Sequence, residues 1–400
     1  MKSIQTMNMP LACPVALPVD GLEPWMSGSS SASTLHLHTV AGAMEGMQKQ
    51  ALVVDAASQR IWNFACDEGP YLNGTDLAPF PLAYFNSGLG FSLFCEIENL
   101  AHARGVRLDD LELCLDSFYG MEGSALKGTM TGSALPPVLA INAKTDLDRP
   151  ALMQLVADAV SAAPANALLR AALDSEFLGS HNDQALEVKD LNRIDGACLP
   201  NPQAILDSIK ADDRADVRDD IVTKLSQTEA VFGVEGGAGT SLQADQSRQL
   251  HIRGLIHRRS DGLLENKVQL YKPIGSVFRF LGDSAPQFGG TGRAPSGLAY
   301  LSAGLAFCYL TQIGRFAHIK KLPLSHYSLH QDTRFSLPGA SSGTMEVASA
   351  KAVQSHVHIR SDAPDAEIAH LMIMAEQTCF LHAACRTALK LKIRVQPLAG

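Results

Sequence analysis

A chain of 400 residues exceeds what one hydrophobic core usually serves, so two domains of about 100 to 200 residues are expected. With 33 Lys and Arg against 41 Asp and Glu, the net charge of −8 argues against a broad electrostatic footprint for nucleic acid or anionic lipid. The 46% hydrophobic fraction describes an ordinary globular chain, and no run of about 18 apolar residues suggests a membrane span.

Residues 1–44 form a leading segment that includes a first strand. It opens "MKSIQTMNMPLACPVALPVDGLEPW", with one early Lys and an apolar stretch broken by prolines. That makes a poor secretory signal, so a cytoplasmic location is expected. Eight cysteines (13, 66, 95, 114, 198, 308, 379 and 385) are scattered with no CxxC. This predicts mostly reduced thiols, several buried as small hydrophobes.

From residue 45 the chain repeats itself. A shift of 216 lays "PYLNGTDLAPFPLAYFNSGLGF" (70–91) on "PQFGGTGRAPSGLAYLSAGLAF" (286–307), with 14 identities in the 36 positions from 70 to 105. The same shift, without a gap, superposes "IWNF" (61–64) on "VFRF" (277–280) and "AINAKTD" (140–146) on "HVHIRSD" (356–362). The repeat runs from 45 to 174 and again from 261 to 390, which is a duplicated domain rather than a solenoid. Residues 175–249 connect the units. They hold an amphipathic, helix-like stretch at 201–231 and a Gly-rich stretch at 233–245, and a cover packed over one unit is one role open to them.

The second unit, 250–400 with its flanks, reads in chain order as β-β-β-α-β-β-α-β. "RQLHIRGLIHRR", then Ser260-Asp261-Gly262, then "NKVQLYKP" is a hairpin signal, because Asp-Gly supplies a positive-φ turn between alternating segments. "SVFRFLG" is a third strand. A Gly-rich loop then leads to 298–320, apolar nearly all round, as a central helix should be. "LSHYSLHQDTRFSL" and "AVQSHVHIR" alternate like half-exposed strands, a second helix follows Pro364, and "KLKIRVQ" closes the unit.

Cys308 sits at the centre of the first of these helices and Cys379 at the centre of the second. Antiparallel packing would bring them within disulfide reach, which needs Cα atoms under about 7 Å apart. "GGTGRAPSGLAYLSAGLAFC", with the strands and second helical cysteine that follow, resembles the OsmC/Ohr superfamily (osmotically induced protein C and organic hydroperoxide resistance protein). The resemblance covers nearly all of the second unit and reaches the first through the repeat. It implies an α+β fold of two such units, each an antiparallel sheet wrapped around two central helices, arranged as an intramolecular pseudo-dimer.

The resemblance further implies Cys308 as peroxidatic thiol, Cys379 as resolving thiol, and Arg258 or Arg259 as the arginine that stabilises the thiolate. An organic hydroperoxide or other apolar small molecule would be the substrate, and a dithiol of lipoyl or thioredoxin type the reductant. No cofactor, nucleic acid or membrane is expected, and a homodimer of pseudo-dimers is left open. This sequence departs from the family in several places. The family's glutamate falls at Ser296, "CFLH" lacks the usual proline after cysteine, and Ser92 and Ala163 replace both thiols in the first unit.

Other chemistry is less well supported. His326 and His330 share one strand face, as do His356 and His358, with Asp332 nearby, and four imidazoles can bind a divalent metal. Tyr327, Leu329, Val357 and Ile359 claim the core face, so the histidines are expected to face solvent or the other unit, and no metal is assigned. "GGTG" lacks the Lys-Ser/Thr of a P-loop. Two rival functions stay open: a cysteine- or metal-dependent hydrolytic or degradative enzyme on the same scaffold, and a non-catalytic protein that binds an apolar ligand.

Overall fold

The computed structural model describes residues 2–15, 22, 34–125, 127–212, 220–227, 246–284, 289–336 and 346–398. The Gly-rich stretch of the connection, 233–245, lies outside them. In chain order the elements are β1 (Ala12–Val15), β2 (Thr34–Ala43), β3 (Lys49–Asp55), β4 (Arg60–Cys66), α1 (Pro81–Ala103), β5 (Asp109–Gly123), β6 (Thr131–Lys144), α2 (Arg149–Ala162) and α3 (Pro164–Arg170). The connection contributes β7 (Glu176–His181), β8 (Gln184–Leu186), β9 (Asn192–Arg193), α4 (Gln203–Ser208) and β10 (Val222–Ser226). Then come β11 (Gln246–Arg258), β12 (Leu264–Lys272), β13 (Val277–Gly282), α5 (Gly297–Lys320), β14 (Leu324–Ser336), β15 (Gln354–Ser361), α6 (Asp365–Thr378), α7 (Phe380–Arg386) and β16 (Lys392–Leu398).

Two mixed sheets result, and each takes strands from both halves of the chain. The first runs β1-β4-β3-β2-β14-β15-β7-β8, with β9 on β7; the second runs β10-β13-β12-β11-β5-β6-β16. The amino-terminal β2 pairs antiparallel with β14 through His330↔Val40, and β11 pairs with β5 through Leu250↔Tyr119. Alternation is visible along β5, whose odd positions from Leu111 to Met121 are buried while their neighbours are partly or fully exposed. A sheet with one face on the core has that period.

The core helices α1 and α5 cross where glycine allows backbones to touch. A Cβ on Gly88 would collide with the backbone of Gly297 and Leu301, and one on Gly304 would press on Phe85 N and Pro81 O. Around the crossing, Tyr84 stands edge-on to Phe280 and to Phe307, both at 5.2 Å, geometry that aromatic quadrupoles favour. Tyr84 and Tyr300 each donate a hydroxyl to a strand-end carbonyl, Ala65 O and Leu281 O. By length and composition α5 could cross a membrane, but 89% of its apolar window is buried inside the fold, which accounts for its apolarity.

Two expectations are corrected. The second helix is broken at Cys379, whose ψ of 115° ends α6 and begins α7, and Ala163 breaks α2 from α3 with ψ 123°. Among the described residues of the stretch at 201–231, the elements are the short α4 and then β10, a strand that pairs with β13.

The connection also covers the histidines, which were expected to face solvent or the other unit. Leu199 N–H donates to His356 Nδ1 at 3.1 Å, His330 Nε2 donates to Pro200 O at 2.9 Å, and Cys198 Sγ lies 3.8 Å from His358 Nε2. Leu206 of α4 packs with Val40, Leu52, Val54 and Ile61 on that outer face. Among the described residues, no three or more His, Cys, Asp or Glu side chains are arranged to hold a metal ion. Asp332 instead joins His36 at 2.6 Å and His38 at 2.9 Å. Burial pushes its carboxyl up, but these two imidazoles prevail and hold it well below the usual carboxylate range.

Candidate active site

Cys308 lies mid-way along α5 and Cys379 at the break between α6 and α7, and both are buried, 2% and 0% exposed. The break aims the second thiol inward. The Cys379 amide closes α6 on Glu376 O at 3.1 Å, and its carbonyl accepts Ala383 N–H at 2.9 Å to start α7. The two thiols are neighbours in the interior and act on one another, and the amide of Leu381, in the first turn of α7, also acts on Cys308. Neighbouring thiols on two helices can be joined by a disulfide where their Cα atoms lie under about 7 Å apart.

One helical turn beyond Cys308, Thr311 Oγ1 donates to Glu68 Oε1 at 3.2 Å. Tyr71 OH donates to the other carboxylate oxygen at 3.2 Å. Glu68, 3% exposed, comes from the loop after β4, so the first half of the chain supplies an acid to the thiols of the second. Two guanidinium groups share this interior. Arg248 of β11 lies 6.0 Å over the Phe380 ring, and Arg315, two turns along α5 from Cys308, donates to Met121 Sδ at 3.2 Å. Tyr119 packs beside them, its ring 5.7 Å from that of Phe380.

Burial sets the electrostatics. It pushes the Cys308 thiol well above its ordinary value; the hydrogen bond to Cys379, the charge of Cys379 and the Glu68 carboxylate push the same way, and the Leu381 amide opposes them. The Glu68 carboxyl is raised by burial against the opposing charge of Lys49. Arg315 is lowered to about 9 by burial and by the neighbouring Arg248 cation. Cys308 therefore rests as a thiol, and chemistry there requires that its proton leave as the substrate arrives.

The arginines read from the sequence lie elsewhere. Arg258 is ion-paired to Glu98, donates to Gly262 O at 2.6 Å, and lies near the Phe94 ring and Cys95. Arg259 pairs with Asp261 at 2.8 Å. Both are tied down at the hairpin end, and the guanidiniums in the Glu68 interior are Arg248 and Arg315. Ser296, too, sits away from the thiols: it caps α5 through Ala299 N at 3.3 Å and donates to Asp55 Oδ2 at 3.1 Å.

Ser296 lines a different cavity, of about 90 Å³, together with Ser92, Cys95 and Ser284. Its details mirror the thiol site at a shift of 216. Ala165 N–H meets Ser92 Oγ at 3.4 Å where Leu381 N–H meets Cys308, and Cys95 contacts Ser284 at 3.4 Å where Thr311 contacts Glu68. The signal that could have found Glu68 and Arg315 was thus present in the repeat. The two copies disagree at Ser284 and Glu68, at Asn99 and Arg315, and at Ser92 and Cys308, and the disagreements gather around one site.

Comparison with known proteins bears on this part of the chain. No curated protein matches it. A solved structure described as an OsmC-like hydroperoxide resistance protein from Jannaschia sp. CCS1 is 24% identical over 32% of this chain and 79% of that chain, with a TM-score of 0.21. Residues 290–394 match the family model described as "OsmC-like protein", so the region that carries α5, α6, α7 and both cysteines is an OsmC-like domain.

Proposed function

We propose that the chain is a thiol peroxidase that reduces organic hydroperoxides through Cys308 and Cys379. The proximity of those two buried thiols, which act on one another inside an OsmC-like domain, is the observation that carries this reading. The Cys308 thiolate attacks the terminal oxygen of ROOH, the O–O bond breaks, and the departing alkoxide takes a proton to leave as ROH. Cys308 is then a sulfenic acid. Cys379 attacks its sulfur, hydroxide leaves as water, and the disulfide records the two electrons given to the peroxide. An external dithiol, of lipoyl or thioredoxin type, restores both thiols by exchange.

In this reading Glu68 and Arg248 are positioning residues, Glu68 brought by the loop after β4 in the other half of the chain and Arg248 by β11. The proposal includes a tandem duplication folded as an intramolecular pseudo-dimer. It is supported by the exchanged strands and by paired contacts 216 residues apart: Thr75 with Asp67 and Thr291 with Asp283, both at 2.5 Å. One copy keeps the sulfur chemistry, while the other, with Ser92, supplies walls. All eight cysteines are free, which suits a reducing compartment such as the cytoplasm.

The test is turnover of cumene hydroperoxide with dihydrolipoate as reductant. Wild type should consume peroxide, and Cys308→Ser should fall to the uncatalysed rate. Equal rates in the two proteins would remove the proposal.

A further inference from the structure

A cavity of about 420 Å³ lies at the carboxyl-terminal end of α5, against the turn between β2 and β3, and no cysteine lines it. Its volume falls in the range of sites for small organic ligands, about 300 to 1,000 Å³. Met44, Met47, Leu72 and Leu322 make much of its wall apolar. Gly314 and Tyr327 line the same space and lie against each other: a Cβ on Gly314 would stand 2.3 Å from the Tyr327 hydroxyl oxygen. The hydroxyl thus occupies the place of a side chain on α5, at the wall that both residues form. Glycine weakens a helix interior, and here it leaves room for one polar atom. At a shift of 216 the first half of the chain has Glu98 and Leu111 instead, so this pairing belongs to the second half alone.

We propose that this cavity binds an apolar carbonyl compound, its hydrocarbon part on Met44, Met47 and Leu72 and its oxygen accepting a hydrogen bond from Tyr327. Tyr327 is 8% exposed, and among the described residues its hydroxyl has no hydrogen-bond partner. Its oxygen is nonetheless not sealed from solvent. A hydroxyl largely withdrawn from water and left without a partner is costly, and a ligand oxygen would relieve that cost. Burial holds the phenol well above its ordinary value, so it keeps its proton and remains a donor at neutral pH. A carbonyl oxygen complements one donor, since it accepts without bringing a donor of its own that would need a partner. The rest of the ligand is apolar because the surrounding wall is, and the methionines adapt to its shape at little cost.

Binding of this ligand does not require the thiols to react, so it is separable from the peroxidase reading. The experiment titrates acetophenone into the reduced full-length protein, and separately α-methylstyrene, which carries a methylene carbon in place of the carbonyl oxygen, with methionine methyl resonances followed by NMR. Acetophenone should bind saturably, shift the Met44 and Met47 methyls and leave that of Met153 in place. Tyr327→Phe should weaken acetophenone about fivefold and leave α-methylstyrene within about twofold of its wild-type value. Should Tyr327→Phe fail to fold, the Cζ resonance of Tyr327 in wild type decides, and it should move further with acetophenone than with α-methylstyrene. Absence of saturable acetophenone binding, shifts confined to other methionines, an unaltered acetophenone affinity in Tyr327→Phe, or equal effects on the two ligands would overturn the proposal.

Discussion

The Ala165 amide donates to the Ser92 hydroxyl at 3.4 Å, the place where, 216 residues on, the Leu381 amide meets Cys308. The breaks at Ala163 and Cys379 repeat with it, at ψ 123° and 115°. If the halves are copies, restoring sulfur to the silent one should restore the geometry. Ser92→Cys combined with Ala163→Cys is expected to form a second disulfide under mild oxidation, linking positions 92 and 163 in a peptide map. Two unlinked thiols at those positions would speak against the pseudo-dimer.

The helix crossing gives a stability prediction. Gly304→Ala places a Cβ 2.8 Å from Phe85 N and 3.1 Å from Pro81 O, both backbone atoms that cannot step aside. Overpacking of this kind costs about 1 to 3 kcal/mol, read as a lower urea midpoint at unchanged slope. An unchanged midpoint would mean that the crossing is looser than described.

His382 offers the opposite sign. It is 1% exposed, both ring nitrogens lack partners, and it stacks 5.2 Å from the Tyr309 ring. Replacing the imidazole with a phenyl ring removes two unsatisfied buried groups, so His382→Phe should stabilise the protein by about 1 to 2 kcal/mol. Denaturant melts at pH 7.5 would check this.

The same residue predicts part of the acid response. Burial lowers His382 to about 3, His330 to about 3 and His358 to about 4. Each is native when neutral, and the unfolded chain takes up the proton first, near pH 6.5. The stability they contribute is therefore complete above about 6.5 and declines as pH falls toward 4. Glu68 and Asp55, pushed up by burial, oppose this trend, so the informative quantity is a difference. Between pH 7 and pH 4.5, His382→Phe should lose less of its urea midpoint than wild type. Parallel losses would contradict the assignment.

Much of this was legible in the sequence, for identifiable reasons. The strand and helix order of the second half followed from period and turn chemistry, because alternation and an all-round apolar stretch are local signals. The break at Cys379 left no such signal, since "CFLH" lacks a proline, although Pro164 marks the equivalent place in the first half. Val222–Ser226 was part of a helical pattern, and pairing with Phe278 and Phe280 overrode that preference. Arg258 was chosen for its closeness to a turn, but charge partners are set by three-dimensional neighbours, and Glu98 on α1 claims it. Glu68 was passed over for the same reason: it lies 240 residues before Cys308 in the chain, and only its mismatch with Ser284 across the repeat pointed to it.

The Glu68 carboxylate is one of the groups that hold the Cys308 proton in place. Glu68→Gln keeps an acceptor for Thr311 and Tyr71 while removing the charge, so the Cys308 thiol should ionise more readily. A change of one pKa unit would raise alkylation by iodoacetamide at fixed pH about tenfold. Slower alkylation in the variant would show that the carboxylate promotes ionisation instead.

The most direct measurement of the central claim is intact-mass and peptide analysis after a single equivalent of cumene hydroperoxide, with no reductant present. The account predicts loss of two hydrogens and a peptide link between Cys308 and Cys379, and no such product in Cys379→Ser, which should instead carry an oxidised Cys308. If the peroxide remains unspent and both thiols are still alkylated on denaturation, the pair is structural and the peroxidase reading is wrong.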